Sequence, residues 1–144
     1  PLGRIKHGMA YDSGGKRVLV FGGHDDGEMG NDNGVYALDV SSDAPAWSKL
    51  AGGDTFNKAA SGQCQFPPDF TTIDKASPER REGFGFAPRP DGLGIFVWGG
   101  KGDCGLLGDG WWFTSSKNAW TPLQQSPLGL SCLRVSTTCT GLCG

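Results

Sequence analysis

The side chains best suited to binding a cation lie in one short segment of the chain. Residues 24–34 hold three aspartates, one glutamate and two asparagines. Carboxylate and amide oxygens of this kind are the ligands that Ca²⁺ takes in proteins. The segment departs from the EF-hand template, because Met29 falls at the first position when Gly34 is placed at the sixth. We therefore predict a solvated connector with no resident cofactor, and calcium binding is the alternative.

Cysteine is the second residue type with chemistry of its own. The chain has five cysteines, Cys64, Cys104, Cys132, Cys139 and Cys143. The three in the tail are spaced C-x6-C-x3-C and lack the C-x2-C pairs or histidines of a zinc site, so no metal site is predicted. Disulfides would place the protein outside the cell or at its surface, whereas buried free thiols would fit a cytoplasmic protein. We expect disulfides, with Cys64 and Cys104 paired to each other or to the tail.

The acidic segment and the cysteines lie within or next to two copies of one sequence pattern. Residues 16–23, a β-branched and aromatic run closed by two glycines, return 77 positions later as residues 93–100. Such a run predicts a strand buried on both faces that ends in a tight turn. The same offset aligns Pro1 with Pro78, Arg4 with Arg81, Gly8 with Gly85 and Val20 with Val97. Further along the offset falls to 73, which aligns Trp47 with Trp120, so the chain contains an internal repeat.

Composition indicates an all-β chain. Its 25 glycines and 9 prolines separate apolar runs, and no long stretch has the helical period. The predicted strands are residues 8–12, 17–21, 35–40 and 46–50 in the first copy, and 85–88, 94–98, 110–114 and 119–123 in the second. No apolar run is long enough to span a membrane. The net charge of −2 comes without a basic stripe, which argues against nucleic-acid binding.

The order of features resembles the kelch repeat. In the first copy the matching residues are Arg4, His7, Gly8, Ala10, Gly22, Gly23, Tyr36 and Trp47. In the second they are Arg81, Gly85, Ala87, Gly99, Gly100, Trp111 and Trp120. The second copy departs from the family with Phe84 at the usual histidine and Trp111 at the usual tyrosine. The resemblance implies two four-stranded antiparallel blades of a larger β-propeller, with the innermost strand first and the tryptophan on the outermost.

The two copies also set the expected domain boundaries. Residues 1–50 form one blade, 51–77 an insertion between blades, 78–123 a second blade, and 124–144 a linker with a Cys-rich tail. The tail resembles the start of an EGF-like or plexin-type module. Two blades cannot bury their own apolar faces, since propellers close with about four to eight blades. We therefore expect a larger chain or assembly, with a protein partner or the remaining blades of the same propeller beside these two.

The family resemblance also implies a binding rim, because kelch loops between second and third strands and between blades share one edge. Carried over, the rim residues are Arg4, His24, Asp25, Asp26, Asn31, Arg81, Lys101 and Asp103. An arginine there can bind a carboxylate through two hydrogen bonds. The structural alternative for Arg4 and Arg81 is bonding to backbone carbonyls at the blade junction, which their presence in both copies favours. The inter-blade insertion is either part of this binding face or a passive loop.

Three functions remain open at this point. The favoured one is a non-enzymatic kelch-propeller segment for protein–protein or glycan recognition, in a secreted or surface assembly. A fragment of a kelch-like enzyme, such as a secreted oxidase or sugar mutarotase, predicts a metal or a titratable cluster at the ring centre. A cytoplasmic kelch adaptor predicts five free thiols. We expect His7 to be packed and hydrogen-bonded and the five tryptophans to lie in the core between blades, with Trp111 and Trp112 on opposite faces.

Overall fold

The chain folds into two four-stranded antiparallel sheets. The computed structural model describes residues 3–23, 33–52, 55–56, 71–72, 76–102 and 105–123. Within these ranges the ordered elements are strands and turns, and no helix is present that is long and apolar enough to cross a membrane. The all-β class predicted from the glycine-punctuated apolar runs is confirmed for this part of the chain.

The first sheet is a meander of four consecutive strands. They are β1 (Gly8–Asp12), β2 (Arg17–Phe21), β3 (Val35–Asp39) and β4 (Ala46–Ala51), in the order β1-β2-β3-β4. The turn between β1 and β2 is stabilised by Asp12, whose carboxylate accepts a hydrogen bond from the Gly15 backbone N–H at 3.3 Å. An aspartate that bonds its own turn in this way favours a tight connection.

The remaining strands form the second sheet and two small hairpins. Strands β5 (Thr55–Phe56) and β6 (Thr71–Thr72) pair with each other within the insertion. The next are β7 (Gly85–Pro88), β8 (Gly94–Trp98), β9 (Lys101–Gly102), β10 (Gly105–Leu106), β11 (Gly110–Thr114) and β12 (Ala119–Pro122). The second sheet has the order β7-β8-β11-β12, and β9 pairs with β10.

The eight long strands agree with the sequence prediction. Each begins at its predicted residue and ends within one residue of its predicted end. The two hairpins of two-residue strands were not predicted, because such short strands carry no readable alternation.

The two sheets have the same register, residue by residue. Residues that lie directly opposite each other on neighbouring strands form rows across each sheet, and side chains two positions apart on a strand share a face. Two rows on one face of the first sheet are Met9–Val20–Tyr36–Lys49 and Tyr11–Val18–Leu38–Trp47. Two rows on one face of the second are Phe86–Val97–Trp111–Pro122 and Pro88–Ile95–Phe113–Trp120. These rows contain the residues that the sequence repeat aligns, so the internal repeat is also a repeat of pairing geometry.

The hydrophobic core lies between the two sheets. Its fully buried members are Leu19, Phe21, Val35, Ala37, Ile95, Val97 and Phe113. The Phe21 ring meets two aromatic rings of the second unit edge-on, Phe84 at 5.4 Å and Trp120 at 5.1 Å between centroids. Gly8 lies against the Phe86 ring, and a Cβ built at Gly8 would come within 2.3 Å of it. The absence of a side chain at Gly8 thus lets β1 and β7 approach closely.

Both sheets have one face in this core and one face on which no other sheet of the described residues packs. We call the uncovered face of the first sheet, which carries the rows of Met9 and Tyr11, the first free face. The uncovered face of the second sheet carries the rows Gly85–Trp98–Gly110 and Ala87–Phe96–Trp112–Thr121, and we call it the second free face. Trp47 on the first and Trp98 on the second are each 48% exposed.

The expectations for individual side chains are corrected in three cases. Trp47 and Trp98 are not core residues, because each is 48% exposed on a sheet face that no described strand covers. His7 is exposed and immediately precedes β1, so it is not a packed histidine of the inner strand. Trp111 is buried and Trp112 lies on the opposite face, as their adjacency on one strand predicts.

The double glycine at the end of β2 joins the two sheets. Gly22 and Gly23 have φ of 66° and 78°, and the aligned Gly99 and Gly100 also have positive φ. The Gly23 N–H donates to the Arg81 carbonyl at 2.8 Å. A Cβ at Gly23 would come within 2.4 Å of the Ile5 carbonyl oxygen and 2.8 Å of the His7 nitrogen.

We expect Gly23→Ala to lower the free energy of unfolding by about 1–3 kcal/mol, because it adds a backbone clash to a positive-φ strain. The matched control is Gly83→Ala, where φ is 59° and no atom lies within 4 Å of the added Cβ. Its cost should be about 1 kcal/mol, since the aligned Lys6 already adopts a φ of 54°. Urea unfolding followed by far-UV circular dichroism measures both, and equal losses would show that the contact at Gly23 is unimportant.

Candidate binding face at the loop end of the sheets

The two ends of the sheets differ in the length of their connections. At one end lie the start of β1, the β2–β3 and β8–β11 connections, the start of the insertion after β4 and the end of β12. At the opposite end the strands are joined by the short turns 13–16, 40–45, 89–93 and 115–118. We call these the loop end and the turn end.

Hydrogen bonds between the sheets keep the two loop ends side by side. At the turn end the Gly14 N–H donates to the Gly92 carbonyl at 3.1 Å. At the loop end the Gly83 N–H donates to the Lys6 carbonyl at 3.2 Å. The long connections of both sheets therefore leave the fold on the same side, which is the arrangement that a shared binding rim requires.

Arg81 lies beneath this end and is fully buried. Its Nη1 and Nη2 donate to the two carboxylate oxygens of Asp109 at 2.6 and 2.8 Å, and Nη1 also donates to the Gly99 carbonyl at 2.9 Å. Its Nε donates to the Glu79 carbonyl at 2.8 Å. A two-pronged bond of this kind fixes both partners, because the planar guanidinium matches the carboxylate geometry.

Asp109 is held in its charged form by its neighbours. Burial alone would raise the pKa of this carboxyl, but the hydrogen bonds and positive charge of Arg81 outweigh burial. A hydrogen bond from Trp111 Nε1 at 2.6 Å lowers the pKa further, and the net direction is below the ordinary aspartate value. The cluster is a structural ion pair that joins the segment before β7 to the start of β11.

Arg4 occupies the equivalent place in the first unit. Its Nη1 donates to the Gly22 carbonyl at 3.0 Å, just as Arg81 bonds the aligned Gly99. Its guanidinium lies 5.1 Å from the centroid of the Tyr36 ring, the residue aligned with Trp111. These contacts are those of the structural alternative, in which each arginine bonds a carbonyl at the unit junction. A ligand-binding role for Arg4 and Arg81 stays a prediction.

The accessible charges of the loop end come from other residues. Lys6 Nζ lies 3.2 Å from the Glu82 carboxylate, and Lys6 is exposed. Glu82 and Lys101 exchange two backbone hydrogen bonds of 2.9 Å, so the exposed Lys101 side chain emerges beside this pair. His7 is also exposed here. Of these four residues only Lys101 was predicted for the rim. Lys6 and Glu82 could have been predicted for this end, because they lie within two positions of the repeated Arg4 and Arg81 in the sequence.

Asn33 ties two of the long connections together. It is buried, and its Nδ2 donates to Ser77 Oγ at 3.2 Å and to the Pro78 carbonyl at 2.8 Å. Asn33 is the penultimate residue of the acidic segment and Ser77 ends the insertion, so both segments rejoin the fold at the same point. This junction was not predicted, because its partners are separated by 44 positions in the chain.

Several predicted site residues lie outside the described part of the chain. They are His24, Asp25, Asp26, Asn31 and Asp103 of the rim, and all five disulfide candidates, Cys64, Cys104, Cys132, Cys139 and Cys143. In the described ranges no group of three or more His, Cys, Asp or Glu side chains is placed to hold a metal ion. A groove of about 510 Å³ runs between β4 and β12, and the side chains that line it, including Ser77 and Asn118, do not titrate.

Comparison of the sequence with protein-family models gave no match, and comparison with curated proteins gave no significant match.

Proposed function

We propose that this chain is a non-enzymatic, two-blade segment of a kelch-type β-propeller that recognises a protein or glycan partner through its loop end. Support for the propeller comes from the equivalence of the two sheets. Each is a four-stranded meander with aligned rows, and the face of one sheet packs on the opposite face of the next. Repetition of that packing is how a propeller is built.

The placement of the long connections supports recognition at the loop end. The short turns at the other end leave little surface that can vary, whereas at the loop end β2 and β4 end, before the acidic segment and the insertion, and β8 ends before the β9–β10 hairpin. Binding residues are concentrated on loops that a rigid scaffold positions. The exposed Lys6 and Lys101, together with the half-buried Glu82, make this end a polar surface, and the hydrogen bonds of the buried Asn33 hold its connections in place.

Ligand selection against the folded chain tests the proposal. A phage-displayed peptide library and a panel of immobilised glycans are the probes. For any ligand selected, we expect Lys101→Glu at the loop end to weaken binding roughly tenfold or more, because a single charge reversed at a contact costs about 1.4 kcal/mol or more. The matched control is Lys117→Glu, which makes the same change on an exposed lysine at the turn end.

Two outcomes would contradict recognition at the loop end. One is that neither library yields a ligand for a chain whose circular dichroism spectrum shows that it is folded. The other is that Lys101→Glu and Lys117→Glu change the affinity equally, which would place the contact elsewhere.

The proposal includes a secreted or surface location, and thiol chemistry tests that part. Disulfides persist in oxidising compartments and are rare in the cytoplasm. We expect the intact mass after alkylation of the non-reduced protein to show fewer modified thiols than after reduction. Five alkylated thiols without reduction would instead favour the cytoplasmic adaptor.

A further inference from the structure

We infer that two copies of this chain associate through their free faces. The first free face of one copy docks on the second free face of the other. The packing of the two sheets against each other within one chain shows the geometry that we expect between two copies. There the second sheet presents the rows of Phe86 and Pro88 to the first sheet. The first free face carries the aligned rows of Met9 and Tyr11. In these rows Met9, Tyr11 and Trp47 are exposed, whereas Val20 is buried and the Arg4 guanidinium lies over the Tyr36 ring.

The receiving surface has the matching pattern. Within the chain, the first sheet receives its neighbour with the rows Gly8–Phe21–Val35–Ala51 and Ala10–Leu19–Ala37–Ser48. The second free face carries the aligned rows Gly85–Trp98–Gly110 and Ala87–Phe96–Trp112–Thr121. Each free face is thus the counterpart of one side of the interface already formed, and one chain supplies both.

Particular contacts follow from the packing within one chain. Within the chain Phe86 lies over Gly8, and Trp120 meets Phe21 edge-on at 5.1 Å. In the pair of copies, Met9 of the second copy would lie over Gly85, and Trp47 of the second copy would meet Trp98. This contact would bury both tryptophans, each of which is 48% exposed in the single chain.

The chemistry of both faces fits an apolar partner. Met9, Tyr11 and Trp47 are exposed large hydrophobic side chains of the first free face, and the exposed Lys49 lies in the Met9 row. On the second, the Phe96 ring lies 6.4 Å from Trp98 and 4.8 Å from Trp112. The Arg89 guanidinium lies 5.1 Å from the Trp112 centroid, so the most exposed aromatic ring of this face is Trp98. Contiguous apolar surface of this kind on a soluble protein marks an interaction site.

Such a head-to-tail contact closes only as a ring or extends as a fibre. Propellers close with about four to eight blades, so rings of two, three or four copies are the allowed sizes. We expect a discrete species with a mass two, three or four times the 15.1 kDa of one chain. The inference rests on the propeller part of the proposed function and is independent of what the loop end binds.

Light scattering coupled to size exclusion, run across a hundredfold range of concentration, measures the mass of the full chain. We expect Trp47→Glu and Trp98→Glu each to give a monomer, because each places a charge in the buried centre of the contact. Leu106→Glu is the control, since Leu106 is an exposed apolar residue of the β9–β10 hairpin outside both faces. It should leave the assembly intact.

Mixing the two tryptophan variants distinguishes this head-to-tail contact between unlike faces from a symmetric contact between two identical faces. Trp47→Glu keeps a working second free face, and Trp98→Glu keeps a working first free face. An equimolar mixture should therefore form a 1:1 complex, although neither variant associates alone. A symmetric contact would let one variant associate by itself.

Three results would overturn the inference: a folded wild-type chain that stays monomeric throughout, an assembly that survives both tryptophan changes, or a mixture that stays monomeric. The first would leave the faces to another occupant, such as a sheet of a different chain or a glycan. Circular dichroism of each variant shows whether it is folded, and the partial exposure of both tryptophans makes the changes compatible with folding. Failure of the ligand selection at Lys101 would leave all these masses unchanged, so the two proposals fail separately.

Discussion

Replacing Asp109 with alanine should destabilise the fold by about 3 kcal/mol. The change leaves the Arg81 guanidinium, which is fully buried, without its two-pronged carboxylate partner, and leaves Trp111 Nε1 without an acceptor. Breaking a buried ion pair from one side costs about 3–5 kcal/mol, and the 26% exposure of the Asp109 side chain places this pair at the lower limit. Urea unfolding at neutral pH measures the loss.

A surface pair of the same length is the control for Asp109. Arg89 and Asp91 also approach to 2.6 Å, but the Asp91 side chain is 43% exposed and lies in a turn. Exposed pairs contribute little because water screens them. Asp91→Ala should therefore shift the unfolding midpoint far less than Asp109→Ala. Equal shifts would show that burial of Arg81 is not the source of the effect.

The contribution of Asp109 should also depend on pH in a defined direction. The pKa of this carboxyl is lower in the folded than in the unfolded chain, so its stabilisation is complete above the unfolded value of about 3.9. It is lost as the pH falls through the lowered folded value. The difference in free energy of unfolding between wild type and Asp109→Ala should stay constant from pH 7 to about 5 and shrink below about 4. A difference that grows with acid would reverse the assigned direction.

Replacing Phe21 with alanine should cost about 3–5 kcal/mol, because it opens a cavity in the centre of the core. Phe21 is fully buried and contacts Phe84 and Trp120, both outside its own sheet. The change therefore weakens the packing between the sheets rather than within one. Urea unfolding gives the loss, and the emission of Trp120 should shift to longer wavelength as water reaches it.

Leu93→Ala removes a comparable apolar side chain from an exposed site. Leu93 is 52% exposed in the turn before β8, and surface changes of this kind usually stay within about 0.5 kcal/mol. If Phe21→Ala cost no more than Leu93→Ala, the interface between the sheets would contribute little to folding.

The bounds of the eight long strands could be predicted from the sequence because the same pattern occurs twice and each copy supports the interpretation of the other. A single apolar run such as residues 17–21 is ambiguous, but its recurrence with the same double glycine fixed both its ends. The structure adds the register, in which the aligned residues of the two copies fall in equivalent rows. The short β9–β10 hairpin had no such support, because the first copy has no matching segment in the described residues.

The partner of Arg81 could not have been found from the repeat. Asp109 lies 28 positions further along the chain, and the first copy has Gly34 where the second has Asp109. Comparison of the two copies therefore gives no indication that Asp109 neutralises the buried Arg81. The exposure of Trp47 and Trp98 was missed for another reason. Sequence shows that a tryptophan suits a sheet face, but only the structure shows whether that face is covered.

The unequal ends of the sheets have an evolutionary consequence. Between β2 and β3 the chain has 13 residues, and between β8 and β11 it has 11, whereas the β1–β2 and β7–β8 turns have four and five. Insertions and substitutions can thus accumulate at the loop end while the paired rows and the double glycines stay unchanged. Duplicated units of this kind can diverge in specificity without a new fold, and the same property makes the loop end the natural place to graft foreign peptide segments in protein engineering.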